Sequence, residues 1–393
     1  LTQVARWTPL DSVMVGKGLG AVTSLDPQGD IDLTVTLISY QTAGSILSFD
    51  GNALFFEDLQ RSAPFDPSST VPDAEQAAGG GVGLANALKS NRDALAHAGS
   101  LPDFEQALAQ GRGFLKKLRE MPKTPGIVQP GVDVQGGSNT WVISGEHTHT
   151  RRPLLANDIH LVLNNPAIFH QVHLVAPGLD VTGDGVPGAP CVVRGHNRHL
   201  AWGITNARLD ITDVYAEAIV VDSTSPSSLS IIHEGALEPI DARVESFLMN
   251  VGGVLVPAPL PEPFVVLTVP RRNNGPLITA PEPGPVPEVL TALSVQSTGF
   301  SATRDPEGFC GINRARNLNQ FKAALQLIDF GSQNISYADI RGNIAYFLTG
   351  EVPLREDLQA AEPGDIVAPP FLIRNGTGGQ EWIPLSNPPR DQA

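Results

Sequence analysis

Cysteine is scarce in this sequence, with only Cys191 and Cys310 among 393 residues. Two cysteines exclude a small scaffold held together mainly by disulfides, and their spacing leaves open whether they pair or stay free. Lysine and arginine are also few, 26 against 41 aspartates and glutamates, which gives a formal net charge of −15. This charge argues against nucleic acid and anionic membrane surfaces as main partners.

Long apolar runs are missing as well. No stretch reaches the roughly 20 residues that a transmembrane helix requires. No signal peptide is visible, and the sequence contains no internal repeat. Because the chain begins at Leu1 without a methionine, we expect a fragment or a processed piece of a longer protein.

Glycine (39 residues) and proline (34) are abundant, whereas charged residues make up only 17% of the chain. This composition is typical of a strand-rich, loop-rich secreted protein rather than of a helical bundle. The length is sufficient for a large core or for two domains. The residue patterns predict helical pieces over 1–60, helices over 103–119 and 318–328, and mainly strands after residue 138.

The stretch Gly136-Gly137-Ser138, directly before a strand-like run, is the first candidate for chemistry. A serine hydroxyl is a weak nucleophile and needs a base beside it. A serine at a chain N-terminus carries its own base, because the α-amine has a pKa of about 7.7–8.0 and is partly neutral near pH 7. Cleavage of the Gly137–Ser138 bond would therefore create nucleophile and base in one residue. Taken alone, Gly-Gly-Ser is more typical of a flexible turn.

The residues that follow change this interpretation. Ser138 opens the run Ser-Asn-Thr-Trp-Val, and residues 153–161 read Pro-Leu-Leu-Ala-Asn-Asp-Ile-His-Leu. Both runs resemble the start of the β-chain in the penicillin acylase family of N-terminal-nucleophile hydrolases, with Ile159 in place of the usual proline. Further resembling runs lie at residues 195–206, 269–278 and 334–355.

The resemblance assigns roles to residues downstream of the serine. His160 falls where the family has a residue that supports the α-amine, so we expect it to position that amine rather than to act as the base. Alone, a histidine at a strand end is more often structural. The family residue that aligns with Asn206 donates its main-chain N–H to the oxyanion, a contact typically worth about 2.7–4 kcal/mol in the transition state. Leu161 and Ile204 are expected to form an apolar wall of the substrate pocket.

A calcium site is also implied by the resemblance. Asp210, Thr212 and Asp213 form an Asp-x-Thr-Asp run, whose two carboxylates and one main-chain carbonyl are ligands that suit Ca²⁺. In the family these ligands are joined by an acidic residue of the α-chain, which aligns with Asp30. The ion would join the two chains after cleavage. Asp-x-x-Asp alone is weak support, because exposed carboxylates are common.

Two other patterns point to metal sites that we consider less favoured. His170 and His173, and likewise His196 and His199, are His-x-x-His pairs of the kind found in zinc hydrolases. On a strand, residues three apart point to opposite faces, so neither pair would chelate simply. Residues 180–185 resemble half of a calcium-binding EF-hand loop but lack its final glutamate, and we interpret them as a turn.

The resemblance implies an α+β fold, the αββα sandwich in which two antiparallel sheets lie between helical layers, with part of each layer in this chain. Residues 1–77 would be the mainly helical end of the α-chain, with 30–38 helical despite their β-branching. Residues 78–137 would be an excised spacer, with an uncertain start, and 138–393 the first half of the β-chain. After cleavage, the α- and β-chains of one precursor would form a heterodimer.

The implied activity is hydrolysis of the linear amide bond of an N-acyl compound, such as a β-lactam antibiotic or an N-acyl-homoserine lactone, without an organic cofactor. The family also implies a periplasmic or extracellular location. The acyl group could be phenylacetyl-like, dicarboxylic or a long fatty chain. The family's second oxyanion donor, an asparagine side chain, would lie beyond Ala393. The alternative is therefore a catalytically incomplete remnant with a structural or binding role.

Overall fold

A computed structural model describes residues 6–58, 104–120, 137–161, 165, 167–257, 264–283, 288–360 and 369–383. The α-helices in these ranges are α1 (Pro9–Ser24), α2 (Pro27–Leu47), α3 (Gly51–Asp58), α4 (Phe104–Glu120), α5 (Asp305–Arg314), α6 (Leu318–Leu325) and α7 (Glu356–Ala360). Short 3-10 helices lie at Gly145–His147, Pro270–Arg272 and Thr298–Phe300.

The strands lie in the described residues from 137 onward, where they form most of the secondary structure. They are β1 (Gly137–Ile143), β2 (Leu154–His160), β3 (His170–Ala176), β4 (Leu179–Gly185), β5 (Val192–Asn197), β6 (Leu200–Asn206), β7 (Thr212–Val221), β8 (Leu229–His233), β9 (Ala236–Pro239), β10 (Asp241–Glu245), β11 (Leu248–Val251), β12 (Val254–Pro257), β13 (Phe264–Val269), β14 (Gly275–Pro276), β15 (Glu282–Pro283), β16 (Leu290–Ser297), β17 (Gln333–Asp339), β18 (Ile344–Thr349) and β19 (Arg374–Asn375).

Two larger sheets organise these strands. The β6 sheet has the order β18-β17-β6-β5-β4-β3, and all its neighbours are antiparallel. The β7 sheet has the order β15-β16-β7-β8-β9, with β19 added in parallel beside β7. Strands β1 and β2 form a separate antiparallel hairpin that contacts β6 and β17. Two smaller sheets, β10-β13-β14 and β11-β12, complete the described strands.

Each large sheet has helices packed on it. In the β6 sheet, Trp202 and Tyr337 are buried together with Phe321 of α6, whose ring lies 4.8 Å from that of Tyr337. The β7 sheet buries Val214 and Leu293 against α2 and α4. The chain therefore combines helices with antiparallel sheets, and the prediction of an α+β fold is confirmed.

Helix α2 forms over a run in which β-branched residues also allow a strand. Asp26 caps its N-terminus by accepting a hydrogen bond from the Gly29 N–H at 3.0 Å, and Pro27 occupies the first turn. Ser48 ends the helix in the left-handed conformation (φ 62°). Fully buried Ile31 shows that packing on the β7 sheet overrides its strand preference. The helix predicted here is confirmed.

The other local predictions mostly agree with the structure. The helix predicted over 103–119 is observed as α4 and the one over 318–328 as α6. The turn predicted at 180–185 is wrong, because these residues form β4, paired with both β3 and β5. The glycines that indicated a turn serve a close strand contact instead. A Cβ on Gly183 (φ 155°) would meet the Arg194 carbonyl oxygen at 2.1 Å.

One further prediction falls outside the described residues: the boundary between α-chain and spacer at residues 77 and 78. Among the residues that the structure does describe, no helix is long and apolar enough to cross a membrane.

Cys191 and Cys310, whose pairing the sequence left open, form a disulfide with a Cα–Cα distance of 5.3 Å. The bond joins the chain before β5 to α5. We expect the double variant Cys191→Ser, Cys310→Ser to lose about 2–5 kcal/mol of unfolding free energy, because the unfolded chain gains the freedom of a long loop.

This loss is measured by urea unfolding of the variant beside the unmodified protein. Thiol labelling under denaturing conditions is the control. Two labelled cysteines in the unmodified protein would contradict the disulfide.

Candidate active site

The candidate nucleophile lies at the start of the β1–β2 hairpin. Ser138 pairs with Ile159, and Gly137 pairs with His160. Cross-strand partners point to the same face, and neighbours along a strand point to opposite faces. Ser138 and Ile159 therefore share the face towards the β6 sheet, whereas His160 lies on the other, exposed face.

Asn157 attaches this hairpin to β6. Its side-chain oxygen accepts a hydrogen bond from the Ile204 N–H at 3.0 Å, and its side-chain nitrogen donates to the Ile204 carbonyl at 3.0 Å. The same nitrogen donates to the Asn139 carbonyl at 2.7 Å. One side chain thus connects β1, β2 and β6. Asn157 lies within the resembling run at residues 153–161, but the sequence alone assigned it no role.

Gly203 makes this contact possible. A Cβ at this position would lie 2.6 Å from the Asn157 Cβ and 2.8 Å from the Thr140 hydroxyl oxygen. Both distances are shorter than non-bonded atoms can approach, so only glycine at position 203 lets the hairpin approach β6 this closely. The close approach fixes the distance between the start of β1 and the end of β6.

We expect Asn157→Asp to destabilise the protein by about 1–3 kcal/mol, because a carboxylate cannot donate to the Ile204 and Asn139 carbonyls. Asn139→Asp is the control, since it adds the same charge on the exposed face of the same hairpin. Chemical unfolding of both variants tests this expectation. Equal losses in the two variants would mean that Asn157 does not hold the hairpin.

A cavity of about 1140 Å³ lies beside the hairpin. Ser138, Leu161, Ile204 and Asn206 all line it, so the structure brings together four of the residues that the sequence singled out. The rest of the wall is mainly aliphatic and aromatic and includes Val15, Ile168, Val186, Val193, Phe309 and Phe330. Charged Lys17, Asp26, Arg208 and Asp305 also line the cavity. A largely apolar cavity that also carries polar groups is typical of a small-molecule site.

Asn206 ends β6 at this cavity, and its neighbours hold the strand end in place. Its side-chain oxygen accepts the Arg208 N–H at 3.1 Å. Asn334 of β17 donates to the Asn206 carbonyl at 3.2 Å and to the Thr205 hydroxyl at 3.0 Å. Sequence reasoning assigned no role to Asn334 because its partners are 128 and 129 residues away.

His160 is not brought to the cavity. Its Nε2 lies 3.0 Å from an oxygen of Asp158, and both side chains are exposed on the outer face of the hairpin. Strand alternation places His160 and Ser138 on opposite faces of the hairpin. The predicted role of His160 at the α-amine therefore has no side-chain contact in its favour among the described residues.

The predicted calcium ligands converge around a guanidinium group. Arg355 donates to both oxygens of Asp213, at 2.8 and 2.7 Å, and its terminal nitrogen lies 3.1 Å from Asp210. Asp30 of α2 is buried beside them and accepts the Val214 N–H at 3.0 Å. Burial raises the pKa of Asp30 well above its usual range, and the nearby carboxylates raise that pKa further.

These residues fit a calcium ion only in part. Asp213 already accepts hydrogen bonds from Arg355 and from the Trp382 indole N–H, the latter at 2.5 Å. Calcium typically needs about six to eight oxygen ligands. Among the described residues, no group of three or more His, Cys, Asp or Glu is arranged to hold a metal ion. The calcium site stays a prediction.

We expect Arg355→Met to cost about 3–5 kcal/mol, because the buried Asp213 carboxylate loses the cation that donates to both its oxygens. Arg374, with its Nε 3.9 Å from Asp213, remains as a weaker partner. Arg341→Met, at an exposed position, should change stability little. Thermal unfolding of both variants, with calcium and with a chelator, tests the charge cluster and the metal together. A calcium-dependent stabilisation would support the metal site, and an unchanged Arg355→Met protein would refute the role of the guanidinium.

The His-x-x-His pairs do not form a metal centre in the described part of the chain. His170 and His173 lie on β3, and the ring of His173 pairs instead with Asp180 at 2.8 Å. His196 lies on β5, and His199 lies in the turn between β5 and β6. The structure thus gives no support to a zinc hydrolase site at these residues.

Comparison with known proteins identifies the family. The family model for penicillin amidase matches residues 1–392, which is nearly the whole chain. The chain belongs to the penicillin amidase family. Members of this family are similar to it at modest identity.

The acyl-homoserine lactone acylase QuiP of Pseudomonas aeruginosa is 27% identical over 64% of this chain and 30% of its own length. The penicillin acylase 2 proenzyme of Pseudomonas sp. strain SE83 is 28% identical over 65% of this chain and 30% of its own length. Penicillin G acylase of Escherichia coli is 25% identical over 62% of this chain and 26% of its own length.

Among solved structures, the thermostable penicillin G acylase of Alcaligenes faecalis matches with a TM-score of 0.45 and 20% identity. The match covers 62% of this chain and 39% of that chain. The chain thus spans less than a third of the length of the curated penicillin amidase relatives named above.

Proposed function

We propose that this chain is the part of an N-acyl amidohydrolase that supplies the nucleophile, an oxyanion donor and the acyl pocket. One observation carries the proposal: Ser138 and Asn206 line the same cavity, although 68 residues separate them in sequence, and the cavity wall is mainly apolar. Membership of the penicillin amidase family supports hydrolysis of an amide bond.

We infer that the precursor activates itself at Gly137–Ser138, and both residues line the cavity. The Ser138 hydroxyl oxygen attacks the Gly137 carbonyl carbon, and the amide bond breaks as the acyl group moves from nitrogen to oxygen. Water hydrolyses the resulting ester. The acyl shift frees the Ser138 α-amine, which takes the hydroxyl proton, and hydrolysis of the ester restores the hydroxyl and leaves two chains. The word proenzyme in the name of one relative is consistent with such a cleavage.

In turnover, the Ser138 hydroxyl attacks the substrate amide while its own α-amine accepts the hydroxyl proton. The Asn206 main-chain N–H donates to the oxyanion, and the amine then passes the proton to the leaving nitrogen. Water hydrolyses the acyl ester and restores the serine. In this proposal Asn157 and Gly203 keep Ser138 and Asn206 at a fixed separation.

The acyl group that we propose is apolar. A cavity of about 150 Å³ is large enough to bind benzene. This cavity measures about 1140 Å³, so it has room for a larger acyl group, and its wall includes Phe309 and Phe330. An apolar acyl group would displace water from this wall and gain binding free energy in proportion to the area it buries. Measuring the turnover of a dodecanoyl amide and of a glutaryl amide of the same amine compares an apolar acyl group with a dicarboxylic one.

A periplasmic or extracellular location is part of the proposal. The disulfide between Cys191 and Cys310 supports it, because such bonds persist in oxidising compartments and are rare in the cytosol. One wall of the cavity includes Cys191, so the bond also stabilises the proposed acyl pocket.

The decisive variants change the nucleophile. We expect Ser138→Ala to give one uncut chain without amidase activity, and Ser138→Cys to be cut, because a thiol can replace the hydroxyl as nucleophile. Ser144→Ala is the matched control: Ser144 follows β1 on the same segment and does not line the cavity. Intact-mass measurement and N-terminal sequencing provide the readout.

A new N-terminus reading Ser-Asn-Thr-Trp in the unmodified protein would support cleavage at Ser138. A cut and active Ser138→Ala protein would refute the role of this serine. A single uncut chain without activity in the unmodified protein would favour the alternative, a non-catalytic remnant.

A further inference from the structure

Helix α4 lies in the part of the sequence that the resemblance marks as an excised spacer, yet one side of it is buried. Ala107, Leu108, Gly111 and Leu115 recur at helical spacing and are all buried. The charged residues in its second half, Arg112, Lys116, Lys117, Arg119 and Glu120, are all exposed. The helix is therefore amphipathic and uses its apolar side for packing.

The partners of this apolar side come from both sides of the proposed cleavage point. Ala107 and Leu115 share a core cluster with Ile31 of α2, before Ser138, and with Val214 and Leu293 of the β7 sheet, after it. Ile31, Val214 and Leu293 are fully buried. Helix α4 thus lies where the future α-chain meets the future β-chain.

The contact is close at the centre of the helix. A Cβ on Gly111 would lie 2.8 Å from the Ile31 side chain and 3.6 Å from that of Leu293. Glycine inside a helix lowers its stability, so this position is explained by the close approach it allows. Gly113, two residues further along and on another side of the helix, has open space around it and makes no such contact.

Gln110 adds polar contacts to the same interface. Its buried side-chain nitrogen donates to the Thr291 carbonyl at 2.7 Å and to the Ala280 carbonyl at 3.3 Å. Its side-chain oxygen accepts the Thr279 hydroxyl at 3.2 Å. These partners all lie after Ser138. At the other end of the helix, Arg119 pairs with Asp32 of α2 at 3.1 Å.

We propose that α4 is retained in the mature protein and forms the surface by which the α-chain holds the β-chain after cleavage before Ser138. The proposal rests on the self-cleavage described above. Release of α4 would remove the side-chain contacts it makes with Ile31 and Leu293 and leave the Thr291 carbonyl without its Gln110 donor. Any excised segment therefore excludes residues 104–120.

The first experiment is intact-mass measurement of the mature, cut protein after gel filtration. We expect a chain that contains residues 104–120 to co-elute with the chain that begins at Ser138. A mature complex that is stable without these residues would overturn the proposal while leaving the amidase function intact.

A matched pair of variants tests the interface itself. Leu115 is buried and its neighbour Lys116 is exposed. We expect Leu115→Asn to lower the urea concentration at which the two mature chains separate, and Lys116→Asn to leave it unchanged. Leu115→Ala, a milder change, provides the same comparison if the asparagine variant does not fold. Equal behaviour of the variants at the two positions would overturn the proposal.

If the protein is not cut before Ser138, the proposed function fails, and α4 is tested separately. Sites for a specific protease are then introduced on either side of residues 104–120 in the full protein. After digestion, co-elution of the helix with the rest of the protein supports the interface, and its release contradicts it. The two failures are thus distinguished.

Discussion

The contact between the β1–β2 hairpin and β6 is the constraint on which the candidate site depends. Asn157 satisfies main-chain groups of both β1 and β6, and Gly203 leaves the space that this side chain needs. The contact places Ser138, at the start of one strand, beside the cavity where Asn206 ends another. A hydrolase of the proposed type needs this separation to be fixed, because its nucleophile and its oxyanion donor act on one carbonyl group.

Buried charges connect the distant parts of the chain to the β7 sheet. Arg355 pairs with Asp213, and fully buried Arg272 pairs with Glu217 and Glu381 and lies 3.6 Å from the Tyr215 ring. Buried ion pairs of this kind contribute little net stability, because desolvation offsets their attraction, but breaking one is costly. They therefore fix the arrangement of segments rather than drive folding.

Some elements could be predicted from the sequence because their signals are local: amphipathic spacing marks α4, and a short apolar run marks β18. Helix α2 was predicted from the family resemblance instead, because its β-branched residues also allow a strand. The β4 strand was missed because its glycines are typical of turns, whereas in the sheet Gly183 allows close contact with β5. The disulfide could not be deduced because its cysteines are 119 residues apart in sequence.

The sequence by itself determined the family, the candidate nucleophile and the strand on which it lies, because these depend on contiguous runs around Ser138 and Asn206. Only the tertiary structure decided which side chains face the cavity, since strand register and sheet packing set the orientation of His160 away from it and of Ile204 towards it. It also decided that Arg355 neutralises Asp213 and that α4 packs between α2 and β16. These contacts join residues far apart in the chain, and their energies depend on burial, which no local pattern specifies.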